Sequence, residues 1–438
     1  MIFLLIVANA LIVAAVVYLV ARDNRNGTVP LFCCRNLFLL GFLYFQNFGL
    51  NIWLLNRRGF SLWAYKIRDP GSITSLKFIC LEIVCLVFVF GSYRFFRPRF
   101  REREFMEPEE IGTRTLFLHS VGLSLASAIV WGLGFIAMED LMLYASSGIG
   151  ATATGIAAYA WFRDRQNVFL MWTFLVVLAV SCVPHLTEYG RRGLLSLALM
   201  VAWVGHSHFL RNVNLPKLAM TVILLTSPMI ILLAAFSEAR VRHPRTVSQA
   251  IELMIQADIG HGLQRLANFQ GSATISLWCM ENYPKRFPYR HLYSARATVH
   301  YFIPRAFWPD KPEGLGIQIP GQARLRNVGG LNVGAGLIGH AMCEGGVYAL
   351  IIYAILIGYG LKWMDGYIDS RRHLIYTLPM LCGLGQLFAV PRGEVNFFID
   401  TMIIGTICSL VCMQIMHRLV PVSPTPVAYG HRPEPSSY

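Results

Sequence analysis

Charge is what this sequence has least of. Only 14% of its 438 residues are Asp, Glu, Lys or Arg, where a water-soluble domain carries about a quarter. That excludes a soluble globular protein, and the 55% hydrophobic content and mean hydropathy of +0.50 agree. Acidic residues are scarcer than basic ones, 24 against 38, which leaves a net charge of +14. Metal-ligand patterns are missing too, with no CxxC pair and no Cys/His spacing of a zinc site. Eight of the ten cysteines (Cys33, Cys34, Cys80, Cys85, Cys182, Cys382, Cys408 and Cys412) fall inside apolar runs. Cys279 lies in a long connection and Cys343 at the edge of a run, a distribution expected of buried apolar thiols and not of a disulfide framework. No repeat longer than a helix is visible. The opening MIFLLIVANALIVAAVVYLV lacks the basic flank of a cleaved signal peptide, so it reads as a retained span.

Long apolar runs are what the sequence does have. They fall near residues 1–20, 31–55, 76–93, 115–137, 145–161, 168–184, 193–210, 218–236, 336–361, 374–390 and 395–417. Each is long enough to cross a hydrocarbon core about 30 Å thick, which predicts an all-α polytopic membrane protein of about 11 transmembrane helices. The run at 145–161 is the richest in Gly, Ala, Ser and Thr. The expected organisation is an N-terminal bundle over 1–236, one long connection over 237–335, a C-terminal group of spans over 336–417, and a Pro- and Ser-rich tail over 418–438 that reads as disordered.

Basic residues set the expected orientation. The richer set of short connections holds, among others, Arg22, Arg25, Arg94, Arg97, Arg163, Arg165, Lys362, Arg371 and Arg418, and should face the cytoplasm. The poorer set includes Arg57, Arg58, Lys66, Arg191, Arg192 and Arg392. The amino terminus and the 237–335 connection are then outside and the carboxyl terminus inside. Long loops cross regardless of their charge, so the basic residues of 237–335 do not oppose this reading.

Some arginines then stand on the disfavoured side. Arg191 and Arg192 in HLTEYGRRGLLSLAL and Arg392 in AVPRGEVNFFID lie at the outer ends of spans, and Arg290, Arg296, Arg305, Lys311, Arg324 and Arg326 of the long connection join them. Arg57 and Arg58 read as snorkelling side chains. A ring of guanidinium groups at an apolar boundary is costly without a partner. An anionic one fits, because guanidinium forks match phosphate oxygens bidentately. A lipid-linked diphosphate, tails in the bilayer and head at its surface, has the right shape for that place.

HYFIPRAFWPDKPEG, His300 to Gly314, sits in the same region. Pro304, Pro309 and Pro312 fix the backbone and bar a helix, so Arg305, Asp310 and Lys311 ride on a stiff segment. Phe302, Phe307 and Trp308 suit a membrane interface. IPRAFWPDKP, preceded by NYPKRFPYRHLYSARATVHYF, resembles the signature of the bacterial O-antigen polymerase family, which joins oligosaccharide repeat units. GHAMCEGGVYALIIYAI at 339–355, PRGEVNFFI at 391–399 and GRRGLLSLAL at 190–199 are similar to further motifs of that family. The likeness covers about the second half of the chain and departs at one place: His340 follows Gly339 where a Glu is the rule, with Glu344 four residues on. It implies a GT-C-like membrane glycosyltransferase in the bacterial cytoplasmic membrane. Its substrate would be an undecaprenyl-diphosphate-linked oligosaccharide, and a flippase and a chain-length regulator would be its partners. No cofactor, metal or nucleic acid is expected.

Such a transfer needs the departing diphosphate stabilised and a proton taken from the acceptor hydroxyl. Arg191, Arg192, Arg305 and Arg392 are the candidates for the first task, with Arg290, Arg296 and Lys311 beside them. His300, Asp310, His340 and Glu344 compete for the second. His340 and Glu344 stand at i and i+4, on one face if a helix begins there. No DxD motif lies on the outer side. Two other readings remain: an O-antigen ligase that transfers glycan to a lipid A-core acceptor, and a transporter or flippase of the same lipid. Transporters tend to carry internal repeats and mid-membrane charges.

Overall fold

In lipid a backbone has no water to bond with, so each apolar run must satisfy its own amides and becomes a helix. The computed structural model of the chain describes residues 1–55, 71–98, 111–134, 139–187, 191–210, 230–239, 246–268, 272–301, 303, 308, 314–322, 334–369, 374–393 and 395–420. Among them every regular element is helical and no strand occurs. The first half of the chain gives α1 (Ile2–Arg25), α2 (Cys34–Phe42), a π-helical turn (Leu43–Phe48), α3 (Gly49–Leu55), α4 (Ser72–Phe95), α5 (Thr113–Gly134), α6 (Glu139–Arg163), α7 (Val168–Thr187) and α8 (Arg191–Gly205). Then come α9 (Ile230–Ala239) and the shorter α10 (Val247–Ile255), α11 (Ile259–Asn268), α12 (Ser272–Asn282), α13 (Tyr293–Tyr301) and α14 (Leu315–Gln322). The chain closes with α15 (Gly336–Glu344), α16 (Val347–Asp369), α17 (Leu374–Leu381), α18 (Leu384–Ala389), a 3-10 turn (Val390–Arg392) and α19 (Val395–Leu419).

Seven helices among the described residues are long and apolar enough to cross a membrane, which makes this a polytopic membrane protein. They lie in α1, α4, α5, α6, α7, α16 and α19. Two of the spans expected from hydropathy are not single helices. The run 336–361 breaks at Gly345 and Gly346, the latter at φ +68°, so α15 is a nine-residue piece ahead of the spanning α16. The run 374–390 breaks at Cys382 and Gly383 into α17 and α18, one turn after Pro379. Hydropathy is continuous through both breaks, because glycine and proline interrupt a helix without being polar. Most of the run 218–236 lies outside the described residues.

The connection 237–335 is more than a surface loop. Its α12 is buried from Ser272 to Leu277 and again at Cys279, packed on α15 and α4 and on the π-helical turn. The Ser276 hydroxyl donates to the Ala335 carbonyl at 2.6 Å, and the Ser272 hydroxyl to the Phe45 carbonyl at 3.0 Å. Both bonds fix the amino-terminal end of α12 deep in the bundle, beside the start of α15.

The least apolar of the spanning helices, α6, is the most enclosed: 83% of its span window is buried, and it packs on α5, α7, α8, α17 and α19. Its Gly, Ala, Ser and Thr content now has a cause, since small residues let membrane helices approach closely and bond through hydroxyls. Ser181 donates to the Gly150 carbonyl at 3.0 Å and Ser127 to the Ser146 carbonyl at 2.8 Å. At Gly148 a side chain would have its Cβ 2.4 Å from the Gly405 Cα of α19. Backbone cannot yield there as a flexible side chain can. Gly148→Ala should therefore lower the melting temperature of the purified protein in detergent, by the equivalent of about 1–3 kcal/mol of overpacking; an unchanged melting curve would contradict this packing.

One end of the bundle is closed by a buried ionic network. Asp365, near the end of α16, accepts from the Cys34 amide at 2.7 Å, the Arg35 amide at 3.2 Å and the Tyr93 hydroxyl at 2.9 Å. The carboxylate thus caps the start of α2, where the helix dipole favours negative charge. Arg35 pairs with Asp23 at 2.6 Å and lies over the Tyr93 ring at 5.1 Å. This positively flanked end carries Arg22, Arg25, Arg94 and Lys362. The candidate site lies at the other.

Candidate functional site

α16 is 23 residues long, roughly 35 Å at 1.5 Å per residue, so Glu344, just before its start, is far from Asp365. At this end α15 carries His340 and Glu344 on one face, His340 Nε2 lying 2.9 Å from Glu344 Oε1. Two residues from elsewhere complete the cluster. The Ser294 hydroxyl of α13 lies 2.7 Å from His340 Nε2 and donates to Glu344 Oε1 at 2.5 Å, and the Ser294 amide donates to the same oxygen at 3.1 Å. The Tyr353 hydroxyl of α16 donates to Glu344 and lies 2.9 Å from the Ser294 hydroxyl. His340 is fully buried, and its Nδ1 has no hydrogen-bond partner. Burial works to raise the Glu344 carboxyl, but the bonds from His340, Ser294 and Tyr353 outweigh it and hold the group below the usual carboxylate value. The cluster ties α13 to α15 and α16. Arg290 adds a second tie, its amide donating to the Cys343 carbonyl at 2.9 Å and its guanidinium bonding Gln318.

A second centre forms at the start of α19. Arg192, in the first turn of α8, lies over the Phe398 ring of α19 with its guanidinium carbon 4.7 Å from the centroid, a cation–π geometry. Arg392 ends the 3-10 turn just before α19. The turn is pinned from two sides. Gln46, in the π-helical turn, donates to the Pro391 carbonyl at 2.5 Å. Gly393 has φ +139°, and a Cβ there would meet the Ala335 amide at 2.6 Å, so only glycine allows the turn to touch the start of α15. α19 has no acidic residue in its first turn, and its amino-terminal dipole adds to the positive field of Arg192 and Arg392, which Glu394, directly before the helix in sequence, offsets in part.

α13 joins the two centres. It packs on α19, and Thr298, one turn after Ser294, faces the buried Asp400 of α19. Apart from the Thr298 hydroxyl, neither oxygen of the Asp400 carboxylate has a hydrogen-bond partner among the described residues. One turn past Arg192 and Phe398, a small polar cavity is lined by Tyr144, Ser147, Ser196, Gln386 and Thr401 and by glycines 148, 383 and 405. The Gln386 side-chain oxygen is buried there without a partner.

Of the residues singled out from the sequence, the structure brings His340 and Glu344 together and sets Arg192 and Arg392 at the start of α19. Arg290 is engaged by Gln318 and the Cys343 carbonyl. Arg296 is exposed on α13. The His300 ring meets Trp308 edge-on, centroids 4.6 Å apart, which fastens the end of α13 to the proline segment. Arg191 opens α8, its side chain outside the described residues; Arg305, Asp310 and Lys311 lie outside them altogether. Among the described residues no group of three or more His, Cys, Asp or Glu is placed to hold a metal ion. Ser294, Tyr353 and Asp400 were not singled out. Only Asp400 had a signal: it is a lone acid in the apolar run VNFFIDTMII.

No protein-family model matches the chain, and neither a curated protein nor a solved structure matches it.

Proposed function

We propose that this protein is a membrane glycosyltransferase of GT-C-like architecture that joins undecaprenyl-diphosphate-linked oligosaccharide repeat units into a cell-surface polysaccharide. The work is done at the outer face of the bacterial cytoplasmic membrane. The observation that carries this reading is the placement of Arg192 over Phe398, in the first turn of α19, and of Arg392 in the turn just before that helix, at the end of the bundle opposite the Asp23–Arg35–Asp365 network. Two guanidinium groups and a helix dipole favour a group that gains negative charge as the reaction proceeds, which is what a departing diphosphate does. The IPRAFWPDKP resemblance supplies the substrate class, and the His300–Trp308 contact joins that motif to α13. Arg191, Arg305 and Lys311 belong to the same basic surface in this reading. The His340–Glu344 cluster holds α13 in place through its bonds to Ser294 and Tyr353, with His340 Nδ1 left unbonded.

A transporter of the same lipid is the second reading. It is favoured by the interrupted α17–α18 and by Glu82 of α4, a fully buried carboxyl inside a span with the Asn47 side chain beside it. A ligase differs from the polymerase only in its acceptor. One experiment separates the three: purified protein with synthetic undecaprenyl-diphosphate repeat units. Longer lipid-linked glycans are expected and support the polymerase. Glycan moved only to an added lipid A-core acceptor means a ligase. Unaltered lipid that crosses the bilayer of a proteoliposome means a transporter, and either of those two results would displace the proposal.

A further inference from the structure

Two short helices of the 237–335 connection leave large apolar side chains uncovered. On α10, Ile255 is 79% exposed and Ile251 46%, and four residues apart they share one face. Beside them Met254 packs against the core, and α10 rests on α7. Gln249, Glu252 and Gln256 hold the exposed polar side. α11 repeats the pattern: Leu263 is exposed on the side away from His261, which pairs with Asp258 at 3.6 Å. A helix with one face on protein, one apolar face open and one polar face has the form of segments that lie in the plane of a membrane.

Depth decides what meets these side chains. A Cβ on Gly262 would stand 2.2 Å from the Ala234 carbonyl oxygen, so the backbones of α11 and α9 touch there. Ala234 belongs to the apolar run 218–236 and lies five residues before the end of α9, about 7.5 Å along its axis. In-plane helices sink about 5–10 Å into the boundary between headgroups and acyl chains. One turn before Ala234, Ile230 and Ile231 are exposed on the same helix, so the apolar stripe continues a surface that already faces lipid. Charge argues against a headgroup clamp: residues 247–268 hold Glu252 and Asp258 against Arg265, a balance that gives anionic lipid no attraction. We infer that α10 and α11 lie in the membrane interface, with Ile251, Ile255 and Leu263 among the acyl chains. The start of the 237–335 connection is then seated on the bilayer and not in water. The placement is independent of the proposed activity and holds for a transporter as well.

Nitroxide spin labels on the full-length protein in phosphatidylcholine nanodiscs test this. Labels go on Ile251→Cys, Ile255→Cys, Gln249→Cys and Gln256→Cys, each in a Cys80→Ser background that removes the exposed native thiol; the background protein treated alike gives the blank. The four positions are exposed, so the substitutions leave the packing of the bundle alone. Collision with oxygen, which concentrates in lipid, is compared with collision with a water-soluble nickel chelate. Labels at 251 and 255 should favour oxygen and report a depth of about 5–10 Å, while labels at 249 and 256 should meet the chelate. The depth should be the same when a third of the lipid is phosphatidylglycerol. Equal chelate access at all four positions would put the stripe in water and overturn the placement. Labels at 251 and 255 that are immobile and shielded from both reagents would mean that a second copy covers the stripe, which also overturns it. Immersion seen only with phosphatidylglycerol would assign the contact to headgroup charge and remove the acyl chains as its partner.

Discussion

Arg392→Ala is expected to stop polymer growth while leaving the protein at its normal level in the membrane. A hydrogen bond to a charged group contributes about 1.5–3 kcal/mol, and every 1.4 kcal/mol is about tenfold, so loss of one guanidinium from the diphosphate site should lower kcat/KM by about ten- to a hundredfold. Repeated over each addition, a deficit of that size leaves only short products. Arg192→Ala should act alike and also lose the Phe398 stack, about 0.5–2 kcal/mol of cation–π attraction. Because Arg392 sits in a turn pinned by its own backbone and by Pro391 and Gly393, removal of its side chain should not unseat α19. Arg305→Ala, in the proline segment, should match Arg392→Ala if that segment joins the same basic surface. Arg57→Ala serves as the control with nearly no effect. Gel profiles of the polysaccharide, read beside immunoblots of membrane fractions, check all four. Full-length polymer from Arg392→Ala and Arg305→Ala together would remove the phosphate-binding role from both.

Much of this architecture was readable before the structure, and the parts that were not share a cause. Long apolar runs announce spanning helices because lipid leaves them no alternative, and α1, α4, α5, α7 and α19 fall within a few residues of where hydropathy puts them. Hydropathy averages over about twenty residues, so it passes smoothly over Gly345, Gly346 and Gly383, where the backbone turns. For the same reason it overlooks SATISLWC, the short buried stretch of α12 within a largely polar connection. The cluster divides along a similar line. His340 and Glu344 are legible as a pair because one helical turn separates them. Ser294 and Tyr353 reach them through tertiary packing, with Ser294 46 residues from His340 in sequence. Attention to arginines at span ends finds Arg192 and Arg392, but it passes over an acid hidden one turn deeper, and Asp400 emerges only once it is seen to be buried against Thr298 of α13.

Glu344→Ala should produce the largest loss of stability of any single change at this end of the protein. One oxygen of Glu344 takes the Ser294 amide, the Ser294 hydroxyl and the Tyr353 hydroxyl, and His340 Nε2 lies 2.9 Å from it. Its removal strands all of them in a buried site where His340 already has an unbonded Nδ1. Breaking a buried pair by deleting one partner costs about 3–5 kcal/mol, and the loss should appear as a sharply lower melting temperature in detergent. Glu344→Gln keeps the shape and some of the bonds, so its deficit should be smaller, about 1–3 kcal/mol. The sign of the pH dependence follows from the carboxyl being held below its ordinary value of 4.5 in the folded protein. Such a group adds stability above pH 4.5 and loses it as the pH falls through the lower folded value. The wild-type melting temperature should therefore drop on acidification below 4.5, and in Glu344→Gln that component of the drop should vanish. Equal acid sensitivity in the two proteins would mean that Glu344 is not the anchor of α13, and the positioning of Thr298 over Asp400 would then need another support.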